Sequence, residues 1–246
     1  MSQAAYDEIA DEYAEAVSAD SDSSTSVLGV ATHCLLATIG PVANLDVCDL
    51  GCGEGHLARQ IADRGGRVVG IDISERLLEL ARERTLHPNI RFILDDAQRL
   101  TTLRDSEFDL VVSNLALMDI PDLKATYATV HRILRAGGRF IFSITHPCFQ
   151  APDTNIDTDR EGNFLARRIM RYAKEGFWRS DYTGGIRGKV GAYHRMLSTY
   201  INELILTGFV ICRIIEPTLP PGQYENPWAQ GRMEVPSVLV IESRRP

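Results

Sequence analysis

From residue 45 onward, short apolar runs alternate with amphipathic segments along the chain. The short apolar runs predict buried strands, and the amphipathic segments predict the helices that cross between parallel strands. The predicted strands are 45–50, 67–72, 90–94, 108–113, 138–144, 209–216 and 238–242, and the predicted helices are 55–64, 74–84, 122–135 and 195–207. The pattern therefore predicts an α/β fold with a mostly parallel seven-stranded sheet, whose last two strands form an antiparallel pair at the edge.

Two segments lie outside this alternation. Before the first strand, one face of a predicted helix is apolar and the other acidic; the apolar positions are Tyr6, Ile9, Ala10, Tyr13 and Val17. The polar, serine-rich residues 18–26 after it predict a hinge. The stretch between about 145 and 195 is too long for a simple connection, so we expect an inserted cap there.

Charge and composition narrow the classes of partner. The net charge of -7 argues against nucleic acid as the main partner, because phosphate binding needs a basic excess. The apolar runs are shorter than the roughly 20 residues that span a bilayer, and the acidic amino terminus is unlike a signal peptide. We therefore expect a cytoplasmic protein without a membrane partner. The five cysteines form no C-x-x-C pair, so neither a disulfide framework nor a metal site is predicted.

The ends of three predicted strands carry the candidate binding chemistry. The first ends in a glycine-rich turn, residues 49–55 (DLGCGEG), directly before a helix, where backbone N–H groups can face a nucleotide-like cofactor. About twenty residues later Asp72 ends the second strand, where its carboxylate can accept both hydroxyls of a ribose. Asp96 and Ala97 follow the third strand, where a carboxylate can accept from an adenine amine. A dehydrogenase would need G-x-G-x-x-G, whereas these glycines alternate, and it would leave Asp96 unexplained.

Together these strand ends resemble the class I S-adenosylmethionine-dependent methyltransferases of the small-molecule branch. The resemblance rests on residues 47–55, 70–74, 96–97, 108–118 and 134–140. It implies a doubly wound, Rossmann-like sheet and S-adenosyl-L-methionine as cofactor, with S-adenosyl-L-homocysteine as product. The cofactor-binding residues that it implies are Gly51, Cys52, Gly53, Asp72, Ile73, Asp96, Ala97, Asn114 and Leu115, together with Tyr6 and Tyr13, which would close over the cofactor.

Catalysis at a sulfonium methyl group mainly requires alignment of nucleophile, methyl carbon and sulfur, so a strong base is optional. His146 stands at the end of the fifth strand and is the candidate general base. The alternative is a turn histidine bonded to backbone. Trp178 and Tyr182 are candidates for stacking on a flat substrate ring, and His194 is a further substrate-binding candidate.

The predicted cap is locally basic, with nine basic and three acidic residues between Arg160 and Arg195. One interpretation is a pocket for an anionic substrate. A second is an amphipathic helix over 164–175 with a solvated basic face. A third pairs that face with the N-terminal helix, whose segment carries seven acidic residues before residue 23.

The sequence therefore predicts methyl transfer to an O or N atom of a small metabolite, anionic or aromatic, by in-line displacement. The alternatives are a non-catalytic protein that binds S-adenosylmethionine and a partner, and a methyltransferase acting on a peptide. The predicted domains are an N-terminal helical lid (1–44), a cofactor-binding core (45–145), the cap that forms the substrate pocket (146–194) and the C-terminal part of the core sheet (195–246). Monomer and homodimer both remain open.

Overall fold

The structure is a computed structural model that describes residues 4–20 and 23–246. The helices are α1 (Ala4–Asp7), α2 (Ala10–Asp20), α3 (Val27–Ile39), α4 (His56–Ala62), α5 (Glu75–Arg84), α6 (Leu123–Ile133), α7 (Ile186–Lys189), α8 (Leu197–Thr207) and α9 (Pro227–Gly231), and a 3-10 helix covers Leu117–Asp119. The strands are β1 (Asp46–Leu50), β2 (Arg67–Asp72), β3 (Ile90–Leu94), β4 (Phe108–Asn114), β5 (Leu134–Thr145), β6 (Asp153–Thr158), β7 (Phe164–Met170), β8 (Gly176–Trp178), β9 (Ala192–His194), β10 (Val210–Ile215) and β11 (Val238–Arg244).

Seven strands form the central sheet in the order β10-β11-β5-β4-β1-β2-β3. Strands β1 to β5 are parallel, whereas β11 runs antiparallel to both β5 and β10. This confirms the predicted mostly parallel, Rossmann-like sheet with an antiparallel edge. Because β1 to β5 share one direction, their carboxyl ends meet at one edge of the sheet, where such folds bind ligands.

Helices cover both faces of the sheet. On one face α3 and α4 bury Leu35, Ile39 and Ile61 against Val47 and Val240. On the other face α6 and α8 form a second core, with side chains that include Tyr127, Val130, Phe140, Tyr200 and Leu204. The rings of Tyr127 and Phe140 meet edge to face at 5.9 Å. The two cores hold the strands rigidly, so the loops at the carboxyl edge start from fixed positions.

Helix α3 is the main element that the sequence pattern does not predict. Residues 27–39 are apolar almost throughout, which hides a helical period, and the helix is indeed buried along most of its length. It begins at Ser26, whose hydroxyl accepts from the Gly29 N–H at 2.9 Å, and it packs against β5 and β11. The hinge predicted over 18–26 includes residues 21 and 22, which lie outside the described residues. The division of the chain at 44, 145 and 194 stays a prediction.

The cap consists mainly of two antiparallel strand pairs, β6 with β7 and β8 with β9. The amphipathic helix over 164–175, one of the three interpretations of this segment, is therefore wrong. Its first part is strand β7, on which Arg168 pairs across the hairpin with Asp157 of β6. Among the described residues, no helix has both the length and the apolar character needed to cross a membrane.

Candidate functional site

A cleft opens at the carboxyl edge of the sheet, above the ends of β1 to β4. Its empty volume is about 860 Å³, counting the space at its mouth. The lining residues are Tyr6, Tyr13, Gly51, Gly53, Ile71, Asp72, Ile73, Leu77, Asp95, Asp96, Ala97, Gln98, Asn114, Leu115, Ala116, Asp119, Ile120 and Pro121. All the predicted cofactor-binding residues are among them except Cys52, which lies behind the glycine turn and lines a smaller cavity there.

The glycine-rich turn lies at the floor of the cleft, where the absence of side chains permits close contacts between its backbone and neighbouring atoms. A Cβ at Gly51 would lie 2.5 Å from the Cβ of Ala116, and the Gly51 φ of +71° disfavours any side chain. The N–H groups of Gly51 and Cys52 both donate to the carbonyl of Ile71, at 2.8 and 2.9 Å, and so belong to the sheet. The expectation that these N–H groups face the cofactor is therefore wrong for Gly51 and Cys52. Glycine at position 51 is therefore required by the close contact with Ala116 and by the left-handed backbone.

Asp72 is held in place by backbone donors. Its Oδ2 accepts from the N–H of Gly53 at 2.8 Å, and its Oδ1 accepts from the N–H of Ser74 at 2.9 Å. Burial raises the pKa of the Asp72 carboxyl, and these backbone bonds oppose the rise. A carboxylate has about four acceptor sites, so both oxygens retain capacity for the hydroxyls of a ribose.

Two acidic residues that follow β3, Asp95 and Asp96, form the next part of the cleft wall. Asp95 accepts from the N–H and hydroxyl of Thr102, at 2.8 and 2.6 Å, and so fixes the loop. Asp96 accepts from the backbone N–H of Gln98 and from its side-chain amide, both at 2.9 Å. The sequence reasoning missed Gln98. Its amide shows that the Asp96 carboxylate is placed to accept from an NH₂ group, the kind of donor that adenine presents.

Helices α1 and α2 form one side of the cleft. The rings of Tyr6 and Tyr13 meet edge to face at 5.5 Å, and both line the cleft. Ala10 and Ala14 pack against Leu77 of α5. The Asp7 Oδ1 accepts from the hydroxyl of Ser74, the residue that caps α5, at 2.5 Å. The N-terminal segment is thus docked on the same helix start that positions Asp72.

Asp119, in the 3-10 helix after β4, joins the N-terminal segment to the cap. Its Oδ2 accepts from the Tyr6 hydroxyl at 3.0 Å, and its Oδ1 pairs with the Arg187 guanidinium. Burial raises the pKa of Asp119, and the charge of Arg187 opposes this rise. Lys189 also pairs with Glu12 of α2. The third interpretation, in which a basic face over 164–175 pairs with the N-terminal helix, is therefore wrong in its residues, since the pairing with Glu12 is made by Lys189. Nothing in the sequence alone marks Asp119.

Asp49 provides a test of whether the site suits a cationic ligand group. This residue lies next to the last residue of β1, at the start of the glycine-rich turn; it is 1% exposed, and its Oδ2 has no hydrogen-bond partner among the described residues. Burial, followed by the charge of Asp72, raises the pKa of Asp49 to about 7. A buried acceptor without a donor is costly, and a nearby ammonium group would offset that cost. The residues therefore fit the amino-acid portion of S-adenosylmethionine.

The four residues predicted for catalysis and substrate binding lie away from this cleft. His146 is 1% exposed; its Nε2 bonds to Glu216 at 2.7 Å, and its Nδ1 accepts from the Cys148 N–H at 3.2 Å. His194 is buried and bonds to the Tyr172 carbonyl at 2.7 Å. Trp178 and Tyr182 line a separate surface depression of the cap. His146 does follow β5, and Trp178, Tyr182 and His194 do lie in the cap. Their hydrogen-bond and packing partners come from distant parts of the chain, which the sequence pattern does not reveal.

Comparisons with known proteins agree with this geometry. Residues 41–174, more than half of the chain, match the family model described as a methyltransferase domain. The solved S-adenosylmethionine-dependent methyltransferase from Mesorhizobium loti is 32% identical, with a TM-score of 0.75 over 87% of this chain and 96% of that chain. This chain belongs to the S-adenosylmethionine-dependent methyltransferases. S-adenosylmethionine is accordingly the cofactor of this methyltransferase.

Curated relatives of the methyltransferase extend the comparison. An uncharacterized protein of Haemophilus influenzae is 29% identical over 86% of this chain and 85% of its own length. A malonyl-[acyl-carrier protein] O-methyltransferase of Pseudescherichia vulneris is 30% identical over 60% of this chain and 59% of its own length. The similarity to that named relative therefore covers less than two thirds of its length.

Proposed function

We propose that this methyltransferase transfers the methyl group of S-adenosylmethionine to an oxygen or nitrogen atom of a small molecule. The observation that carries the proposal is the convergence of Asp72, Asp96 and the two lid tyrosines on one cleft. When bound, the cofactor supplies a methyl group activated by a sulfonium. The relative from Pseudescherichia vulneris is named as an O-methyltransferase, which favours oxygen as the acceptor atom.

Each wall of the cleft has a separate part in this proposal. Asp72 would accept from the ribose hydroxyls and Asp96 from the adenine amine. Asp49, which lines the smaller cavity next to the cleft, would provide negative charge near the amino-acid portion. Tyr6 and Tyr13 would exclude water from the reacting atoms, and the wall at Leu115 would limit where an acceptor can approach. Orientation of this kind contributes most of the acceleration in a displacement that needs no strong base.

The role of His146 as general base stays a prediction, and its contacts argue for a structural role. Burial lowers the pKa of His146, although the hydrogen bond to Glu216 opposes this. A neutral ring that accepts at Nδ1 from Cys148 carries its proton at Nε2, facing Glu216. Both nitrogens are then occupied. The ring would have to turn before it could accept a proton from a substrate.

Calorimetric titration with S-adenosylhomocysteine tests the binding step. We expect Asp72→Asn to weaken binding at least tenfold, because the neutral amide is a poorer acceptor for two hydroxyls. The control is Asp46→Asn at the opposite end of β1, where Asp46 pairs with Arg67 and Arg135 on the surface. Equal affinities for the two variants would contradict the assignment of Asp72.

Release of S-adenosylhomocysteine from S-adenosylmethionine, measured with panels of small hydroxy, carboxylic and amine compounds, tests the transfer step. We expect product with at least one class of acceptor. Tight cofactor binding without product from any acceptor or cell extract would refute methyl transfer to a small molecule. That outcome would favour the non-catalytic binding protein, whereas product formed only with peptides would favour the peptide methyltransferase.

A further inference from the structure

Two arginines outside the cofactor cleft bury guanidinium nitrogens without partners. The Nε and Nη2 of Arg167 and the Nε of Arg232 are inaccessible to solvent and have no hydrogen-bond partner within the described part of the chain. Both side chains are partly buried, and leaving such inaccessible donors without acceptors is unfavourable, by about 1–3 kcal/mol for each group. In a chain of net charge -7, such a pair points to an anionic ligand.

Strand β7 and helix α9 bring the two arginines together. Arg167 lies on β7, and Arg232 follows directly after α9, which packs on β7. The Arg167 guanidinium stacks over the Trp228 ring at 5.2 Å from its centre, and Trp228 lies one helical turn before Arg232. Burial lowers the pKa of Arg167 to about 10, and the charge of Arg232 lowers it further. The two cations are therefore close enough to repel each other.

The contacts that these arginines do make are to neutral groups. Arg167 Nη1 donates to the Phe149 carbonyl at 3.3 Å and to the Ser237 hydroxyl at 3.5 Å. Arg232 Nη1 donates to the Thr25 carbonyl at 2.6 Å. By contrast, Arg168, next to Arg167 on β7, pairs with the carboxylate of Asp157. Neutral contacts orient the two guanidinium groups without an ion pair; Asp20 acts on Arg232 through its electrostatic field and partly offsets the effect of burial.

The pair lies at the same edge of the sheet as the cofactor cleft. The N–H of His146, the first residue after β5, donates to the Ser237 carbonyl at 2.9 Å, and Ser237 immediately precedes β11. Strand β5 pairs with β4 so that Ser143 lies opposite Asn114, a residue of the cleft wall. The arginines therefore lie near the carboxyl end of β5, the strand next to β4.

We propose that Arg167 and Arg232 form a binding site for an oxyanion, a carboxylate or phosphate group, carried by the methyl-acceptor substrate. Guanidinium groups bind such groups through paired N–H donors, and stacking on Trp228 keeps the plane of Arg167 fixed for this geometry. Occupancy by an anion would satisfy the unpartnered nitrogens of both arginines at once. The link to the acceptor rests on the proposed function, whereas the anion site itself can be tested without turnover.

Fluorescence of Trp228 gives a direct measure of anion binding. The chain has two tryptophans, so the Trp178→Phe variant leaves Trp228 as the single reporter. We expect inorganic phosphate or succinate to produce a saturable change that sodium chloride at equal ionic strength does not produce. Comparison of the phosphate and succinate titrations identifies which oxyanion the site prefers. If neither anion produces a saturable change, the site does not exist.

Substitutions in the same background locate the site. Arg167→Met and Arg232→Met should each abolish the change or weaken binding at least tenfold, whereas the neighbouring Arg168→Met should retain it. In thermal melts, Arg167→Met should be at least as stable as the Trp178→Phe protein that carries it, because a partly buried, unpaired charge has been removed. Arg232→Met serves as a second test of the site if Arg167→Met does not fold. Equal responses of the Arg167 and Arg168 variants would overturn the proposal. Calorimetry with S-adenosylhomocysteine on the same proteins measures cofactor binding independently. It therefore distinguishes the absence of an anion site from an error in the proposed cofactor assignment.

Discussion

Asp49 offers the sharpest test of how the cofactor site is built. Its carboxyl is buried at the start of the glycine-rich turn with one oxygen unpartnered, and burial raises its pKa from 3.8 to about 7. A carboxyl with a raised pKa keeps its proton in the folded state over a range of pH in which the unfolded chain has lost it. Its contribution to stability is therefore lost as pH rises from about 4 to 7. We expect Asp49→Asn, which keeps the shape and removes the charge, to abolish this loss.

The size of the effect follows from the shift. One pKa unit corresponds to about 1.4 kcal/mol, so a rise to about 7 corresponds to about 4 kcal/mol of destabilisation at neutral pH. About half of this destabilisation is already present at pH 5. The difference in free energy of unfolding between Asp49→Asn and wild type should therefore increase by about 2 kcal/mol, in favour of the variant, between pH 5 and pH 7. Other titrating groups are common to both proteins and cancel in the difference.

Urea unfolding of the cofactor-free protein at several pH values measures this difference. The matched control is Asp46→Asn at the other end of β1, where hydrogen bonds to Arg67 and Arg135 lower the pKa of Asp46. A carboxyl whose pKa is lowered contributes stability that is lost only at pH values below 5. The free energies of unfolding of the Asp46 variant and wild type should therefore differ by a constant amount between pH 5 and pH 7. Parallel stability curves for wild type and Asp49→Asn would refute the reasoning.

Three further substitutions examine other parts of the site. Gly51→Ala should lower the free energy of unfolding by about 1–3 kcal/mol in urea titrations, because the new Cβ meets Ala116 and the φ is unfavourable; wild-type stability would show that the turn can relax. Tyr6→Phe removes one hydrogen-bond donor from Asp119, so we expect it to lower the free energy of unfolding by about 1–3 kcal/mol in thermal or urea unfolding. The variant should also release S-adenosylhomocysteine faster in stopped-flow displacement; an unchanged release rate would count against closure of the cleft by this tyrosine. His146→Gln should lower the melting temperature and leave the pH profile of kcat unchanged, whereas loss of its acid limb would identify a base.

The features that the sequence predicted well are those encoded locally. Asp72 directly follows one apolar run and Asp96 lies two positions after another, so the strand pattern alone places their carboxylates at one edge of the sheet. Helix α3 was missed because its residues are apolar on nearly every side, so that no polar face shows its period. The roles of Asp119 and His146 depend on partners more than 65 positions away, Arg187 and Glu216, which no local pattern reveals.

The docking of the N-terminal segment has a consequence for the timing of turnover. Tyr6 and Tyr13 form a wall of the cleft, and the contacts of Asp7, Asp11 and Glu12 with Ser74, Arg76 and Lys189 hold this segment down. We therefore expect the spent cofactor to be exchanged only after these polar contacts separate. Because exposed ion pairs weaken as salt screens them, the exchange step should quicken with ionic strength even where the methyl-transfer step does not. Residues 4–20 would in this way make the rate of cofactor exchange sensitive to salt.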